Sequence, residues 1–156
     1  MARFQKQLPE QIMKDVEYLN RNSDTIFGEM TRAGAEITRS NVIKNIPLDK
    51  MSSHVKISKI YKTPSDRGIN TKVYISGYIP FSSPNRKYFA RRGGNGGMYY
   101  TDKGVPADFL AKIYEYGRST RKFPQKPFFR KSFRRKDIEQ AMYDAQRKYS
   151  RGLLDE

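Results

Sequence analysis

Few side chains in this sequence are equipped for chemistry. Its 156 residues hold a single histidine, His54, and no cysteine. Thiolate nucleophiles, disulfide scaffolds and zinc ribbons are therefore excluded, and a histidine-dependent triad would rest on one residue. His54 lies in a strand-like stretch, where packing or surface exposure is its ordinary role. Carboxylates are the remaining candidates for acid–base or metal chemistry. Asp15 and Glu17 stand two apart on a helical segment and do not face one another. Asp108 and Glu115 flank one short element, where capping and pairing come first. A nuclease using carboxylate-bound magnesium needs carboxylates that converge, and no such spacing is visible. The expectation is a protein that is not an enzyme, with no catalytic residue, cofactor or metal.

Two further segments could bind. Gly93-Gly94-Asn95-Gly96-Gly97 lacks the Gly-Lys-Ser/Thr of a phosphate-binding loop and the Rossmann fingerprint. Its glycines give backbone freedom, consistent with an arm that orders on a partner or with a disordered loop. Glu115 follows an apolar run, so its carboxylate is expected to be partly buried and to want a cation or backbone amides. A subunit-interface bridge is the functional alternative.

Charge limits the partners. Lys and Arg total 31 and Asp and Glu 16, a net charge of +15. Such a chain attracts polyanions. Arg86 and Lys87 beside Tyr88 and Phe89, and Arg91 and Arg92 before the glycines, make a basic nucleic-acid-binding module the rival reading. The 13% aromatic content argues against a disordered chain. Met1 to Lys6 is not followed by an apolar leader, and no run approaches the roughly 18 apolar residues of a membrane span. A soluble protein without membrane partners is expected.

The elements that must position these groups follow from periodicity. Ile12, Met13, Val16 and Leu19 mark a helix opened by Pro9. Asn22-Ser23-Asp24 predicts a break and a second helix carrying Ile26, Phe27, Met30, Ala33 and Ile37, closed by Pro47. Val55 and Ile57, a turn at residues 63–68, and alternation from Ile69 to Ile79 predict an antiparallel hairpin. A long Gly-rich loop is expected at about 81–104, with strand character near Tyr88 and Tyr99. A short helix capped by Asp108 carries Phe109, Leu110, Ile113 and Tyr114 and ends at a left-handed Gly117. Residues 118–126 form a basic loop, and Pro127 is expected to start the last helix, anchored by Phe128, Phe129 and Phe133. The length fits a single domain over residues 1–156.

Ile113-Tyr114-Glu115-Tyr116-Gly117-Arg118-Ser119, a short basic loop, and then Pro124-Gln125-Lys126-Pro127-Phe128-Phe129 resemble the signature of the HK97 gp10-like family of tailed-phage neck and tail-completion proteins. There a Glu-aromatic-Gly-small motif precedes a Pro-Phe that opens the last long helix. The order of elements agrees over nearly the whole chain. The resemblance implies an α+β fold, a small antiparallel β-sheet packed against a long N-terminal helical region and a C-terminal helix. It implies a virion structural protein, assembled in the bacterial cytoplasm, that completes the tail and joins it to the DNA-filled head. The implied partners are copies of itself in a ring of six, head-closure or adaptor proteins, a tail terminator or tail tube protein, and DNA passing through the channel. The adjacent tail terminator is an alternative identity within the same architecture. Gly117, Pro127, Phe128 and Phe129 are implied as structural motif residues. Arg86, Lys87, Arg91, Arg92, Glu115, Tyr116, Arg118 and Arg121 are the candidate interface residues.

Overall fold

A helix, α1, runs through Pro9–Asn45. The computed structural model describes residues 9–65, 67–81, 88–91, 98–101, 103–118 and 123–154, with backbone alone for 88–91 and 98–101. The break expected at Asn22-Ser23-Asp24 does not occur. The Asn22 side-chain amide donates to the Tyr18 carbonyl at 2.8 Å and the Ser23 hydroxyl to the Asn20 carbonyl at 3.0 Å. These side chains bond back onto the helix they sit in instead of capping a new one. After a 3-10 turn at Asp49–His54 come β1 (Val55–Ile57), β2 (Tyr61–Lys62), β3 (Ile69–Asn70), β4 (Val73–Ile75), β5 (Tyr78–Ile79), β6 (Tyr88–Arg91), β7 (Met98–Thr101) and β8 (Val105–Pro106). Then follow α2 (Ala107–Tyr116), a 3-10 turn at Arg130–Ser132, and α3 (Arg135–Tyr149). The fold class is α+β, with a long N-terminal helix, small antiparallel sheets of short strands and a C-terminal helix. No described helix is long and apolar enough to cross a membrane.

The expected hairpin pairing is present in two pieces. Strand β1 pairs antiparallel with β4, Val55 opposite Ile75, and β2 with β3, Lys62 opposite Ile69. The alternating run from Ile69 to Ile79 is cut into three strands, and the second cut falls at Gly77, which takes φ +115° and leaves the extended region. Beyond that bend β5 pairs with β8, Ile79 opposite Val105. Gly104, at φ +120°, passes so close to the Ile79 carbonyl that no Cβ fits there. Within the stretch read as a loop, β6 and β7 form a four-residue antiparallel ladder, Tyr88 opposite Thr101 and Arg91 opposite Met98. Gly93 to Gly97 lie outside the described residues.

The chain divides into two compact units. The first holds residues 1–37, 59–72 and 135–156. Helices α1 and α3 approach closely at Gly34, where a Cβ would stand 3.1 Å from Ile138 and 3.2 Å from Met142. The Tyr18 hydroxyl donates to the Tyr149 carbonyl at 3.1 Å, and the Arg151 guanidinium lies 4.1 Å from the centre of the Tyr18 ring. Strands β2 and β3 are tied by the Lys62–Asp24 ion pair to α1 and braced by Asn70, which donates to Thr63 at 2.6 Å.

The second unit holds residues 38–58 and 73–134. Its core is Val42 from α1, Ile46 just beyond its end, Met51, Val55, Ile79, Ala107 and Ala111 from α2, and Phe128. Burial of the larger of these side chains, the aliphatic ones and Phe128, supplies about 1.5–3 kcal/mol each and fixes the elements around them. On α2 the fully buried stripe is Ala107, Ala111 and Glu115; of the expected face of Phe109, Leu110, Ile113 and Tyr114, Leu110 and Tyr114 pack against the core half-buried. Two alanines let the helix backbone lie against the core, leaving Phe109 at its edge. Pro106 is the N-cap and no side chain caps the helix. Asp108 therefore sits in the first turn, where its charge opposes the positive end of the helix dipole.

Candidate functional site

The stripe of α2 that begins with two alanines ends in a buried carboxylate. Glu115 lies eight residues after Ala107 and four after Ala111, on the same helical face, and is 5% exposed. Its Oε2 accepts the backbone N–H groups of Phe128 at 2.8 Å and Phe129 at 2.9 Å. Its Oε1 accepts the Arg130 N–H at 3.2 Å and the Arg130 Nε–H at 2.8 Å. One carboxylate thus holds three consecutive amides and a guanidinium. Burial pushes this carboxyl up, but Arg130 and then the amides of Phe129, Phe128 and Arg130 together outweigh it. The group titrates below its ordinary value of 4.5.

The chain reaches this arrangement through Gly117. With φ +75° it closes α2, donating its N–H to the Ile113 carbonyl at 2.8 Å. A Cβ there would stand 2.9 Å from the Phe123 carbonyl oxygen and 3.0 Å from the Gln125 nitrogen. Arg118 and Phe123 exchange backbone hydrogen bonds at 2.9 and 3.0 Å, and the Lys126 N–H donates to the Tyr114 carbonyl at 2.7 Å. The segment after the turn is thereby laid along the end of α2, with the Phe123 ring edge-on to Tyr114 at 5.3 Å.

Pro127 does not start the last helix, which begins at Arg135. A helix from Pro127 would give the Phe128 carbonyl to the Ser132 N–H. Instead the buried Ser132 hydroxyl takes that carbonyl at 2.6 Å, and its N–H turns to Phe129 at 3.1 Å. Phe133, with ψ 82°, then leaves helical space. From α1, Asn45 donates to the Ser132 hydroxyl at 3.0 Å and Asn41 to the Ser132 carbonyl at 3.3 Å. Phe128 is therefore a core side chain, Phe129 packs edge-on to it at 6.3 Å, and Pro127 is half-buried.

Glu115, Gly117, Pro127, Phe128 and Phe129 are thus brought together by the fold. Tyr116 is exposed, with the Arg130 guanidinium 5.4 Å from its ring centre, and Arg118 is exposed beside it in sequence. Arg91 lies on β6 with only its backbone described, and Arg86, Lys87, Arg92 and Arg121 lie outside the described residues. Arg130, Ser132, Asn41 and Asn45 carry the site without having been singled out from sequence. The partly buried carboxylate expected at Glu115 was the signal for a cation or amides, but nothing in the spacing pointed to Arg130 among so many.

Beside the carboxylate an open cleft of about 260 Å³ is lined by Tyr74, Ala111, Tyr116, Phe128 and Phe129, with Lys112 and Arg130 in its walls. Its surface is mostly apolar, and the carboxylates of Asp108, one turn below Lys112, and of Glu115, paired with Arg130, also line it. His54 belongs to packing. Its ring fills the space beside Gly77 and its Nδ1 lies 3.2 Å from the Ser76 carbonyl. Among the described residues no three carboxylates or imidazoles gather as a metal site would require.

Charge is divided unequally between the two units. Seventeen of the 31 cations but four of the 16 carboxylates fall in the second, which carries +13 against +2 for the first. In the first unit Arg21, Arg32, Lys62 and Arg135 pair with Glu17, Glu36, Asp24 and Glu139. In the second, Lys50, Lys56, Lys112, Lys126 and Lys131 are exposed. No family model, curated protein or solved structure matches this chain.

Proposed function

We propose that this chain is a non-enzymatic structural protein of a tailed-phage neck, one copy in a ring of six that completes the tail and joins it to the DNA-filled head. In this reading it works in the virion after assembly in the bacterial cytoplasm. A head-closure or adaptor protein meets one face of the ring, and a tail terminator or tube protein the other. The observation that carries the reading is the union of the two halves of the signature. Glu115-Tyr116-Gly117 closes α2 and clamps the amides of Phe128 and Phe129. A carboxylate committed to three amides and a guanidinium has no lone pair placed for catalysis, so the motif makes sense as a rigid corner. The corner presents Tyr116 and Arg130 outward, residue types that anchor protein interfaces.

Deleting the gene from its phage or prophage and imaging the induced lysate tests the reading. Filled heads beside detached or abnormally long tails are expected, tail length separating completion from termination. Normal infectious virions would overturn it.

The concentration of +13 in one unit favours a second reading, a basic nucleic-acid-binding module. That reading requires tight duplex binding by the isolated protein with a steep salt dependence. Weak, sequence-blind binding at low salt does not support it, because any chain of this charge shows some.

A further inference from the structure

We propose that the corner built on Glu115 binds single-stranded nucleic acid, with bases stacked on Tyr116 and Phe133 and phosphates held by Lys126, Lys131 and Arg134. From Tyr116 to Arg134 the chain carries seven cations, five aromatic rings and no carboxylate. It also lacks Leu, Ile, Val and Met there. Two of the rings are exposed yet braced. Tyr116 is 67% exposed, with the Arg130 guanidinium 5.4 Å from its ring centre. Phe133 is 55% exposed, with the Phe129 ring centre 5.6 Å from its own. Phe129 and Arg130 are consecutive and both are clamped by Glu115, so one fixed dipeptide supports both rings. Ser132, between them and Phe133, is held by Asn45 and Asn41 from α1 and bonds the Phe128 carbonyl. Rings held in this way give up little freedom when a base stacks on them.

The cations stand on the same frame. Lys126, Lys131 and Arg134 are exposed, and among the described residues none of the three has a carboxylate within 4 Å. Two carboxylates belong to the neighbourhood. Glu115 lies buried, its charge spent on Arg130 and three amides. Asp108, two turns before Tyr116 on α2, lines the cleft together with Lys112. The sum remains positive, within the unit that carries +13. Cations alone would suit any polyanion, and the rings choose among them. In a duplex each base face is covered by its neighbours, so Tyr116 and Phe133 would gain nothing. A single strand offers open faces beside its phosphates, the pairing of stacking platform and basic track that such strands require. A lipid surface would reward aliphatic anchors, which this segment lacks. The inference deepens the second reading above by naming the form of nucleic acid, and it rests on that reading.

The test uses the purified full-length chain and fluorescence anisotropy over a salt series. The probes are a labelled oligothymidylate of about 20 nucleotides, an abasic strand of equal length, and a duplex of equal length. The oligothymidylate should bind about tenfold or more tighter than the abasic strand, because only the former can stack. Tyr116→Leu combined with Phe133→Leu should remove that advantage without changing the salt slope. Both side chains are exposed, so circular dichroism should show the fold intact. Lys131→Gln combined with Arg134→Gln should instead flatten the slope for the single strand by about 1.4. Equal affinity for oligothymidylate and abasic strand would overturn the proposal, as would a Leu pair that binds oligothymidylate like wild type. Tighter binding to phosphatidylserine vesicles, lost in the Leu pair, would overturn it in favour of a lipid surface. Steep, tight duplex binding that exceeds single-strand binding would overturn it and leave the nucleic-acid reading standing. Weak binding to all three probes would sink both.

Discussion

The Glu115 Oε2 accepts the Phe128 N–H at 2.8 Å, tying the last turn of α2 to a residue thirteen positions later. Together with Phe129 and Arg130 this makes the carboxylate the shared acceptor for a stretch of backbone that has no sheet or helix partner there. Phe128 enters the core just beyond that bond. The hydrogen bond therefore fixes where a large hydrophobic side chain lands, and the packing of the second unit depends on it.

Removing the acceptor should be costly. Glu115→Ala strands the amides at a buried site and is expected to lose about 2–4 kcal/mol of stability. Glu115→Gln keeps one acceptor oxygen but faces the remaining donors with an NH₂ group, and should lose about 1–2 kcal/mol. Arg130→Met removes a guanidinium that is 60% exposed, so screening limits its loss to about 1 kcal/mol or less. Urea unfolding at neutral pH should rank the three in that order. Equal midpoints for Glu115→Ala and wild type would mean that the amides find water instead.

The same site should make stability depend on acid. The folded Glu115 titrates below its ordinary 4.5, so the unfolded chain binds its proton more readily. A group of this sign contributes fully above the unfolded value and loses its contribution as pH falls through the folded value. The stability gap between wild type and Glu115→Gln should therefore be constant from pH 7 to about 5 and narrow below that. Urea midpoints measured across this range check it, and a gap that widens in acid would contradict the sign.

Gly117 is where side-chain substitution should fail for backbone reasons. At φ +75° with the Phe123 carbonyl 2.9 Å from an added Cβ, Gly117→Ala meets both an unfavourable dihedral and a wall that is backbone rather than a movable side chain. A loss of about 1–3 kcal/mol is expected. Thermal unfolding that matches wild type would show that the turn can relax without disturbing the end of α2.

The readable part of the sequence was its periodic part. The Val55–Ile57 strand, the turn at residues 63–68 and the close of α2 at Gly117 each follow from neighbours a few residues apart. The errors came where a distant group decided the local backbone. Pro127 looks like a helix start, yet Ser132 takes the Phe128 carbonyl and Asn41 and Asn45 hold Ser132 from α1, 91 and 87 residues away. Asn22-Ser23 looks like a break, yet a helix with tertiary partners on both sides of it absorbs two side chains that prefer turns. Glu115 was legible as a carboxylate needing partners, because its place in an apolar run implied burial. That three consecutive amides would meet the need depends on a chain reversal that no spacing encodes.

The unequal charge of the two units yields the last prediction. Counterion release makes the salt slope of duplex binding scale with the number of phosphates neutralised, close to one unit of slope per cation. Lys50, Lys56 and Lys126 are exposed in the unit carrying +13. Converting all three to Gln should flatten the slope by about 3 and weaken binding at low salt. Arg21, Arg32 and Arg135 are equally numerous but already face Glu17, Glu36 and Glu139. Converting those to Gln removes the same formal charge and should leave the slope nearly unchanged, because each cation's field is already offset by a carboxylate within 4 Å. Fluorescence anisotropy with a labelled duplex over a salt series separates the cases. Equal effects from the two sets would mean that net charge alone sets the attraction, and that the basic unit has no privileged face for a polyanion.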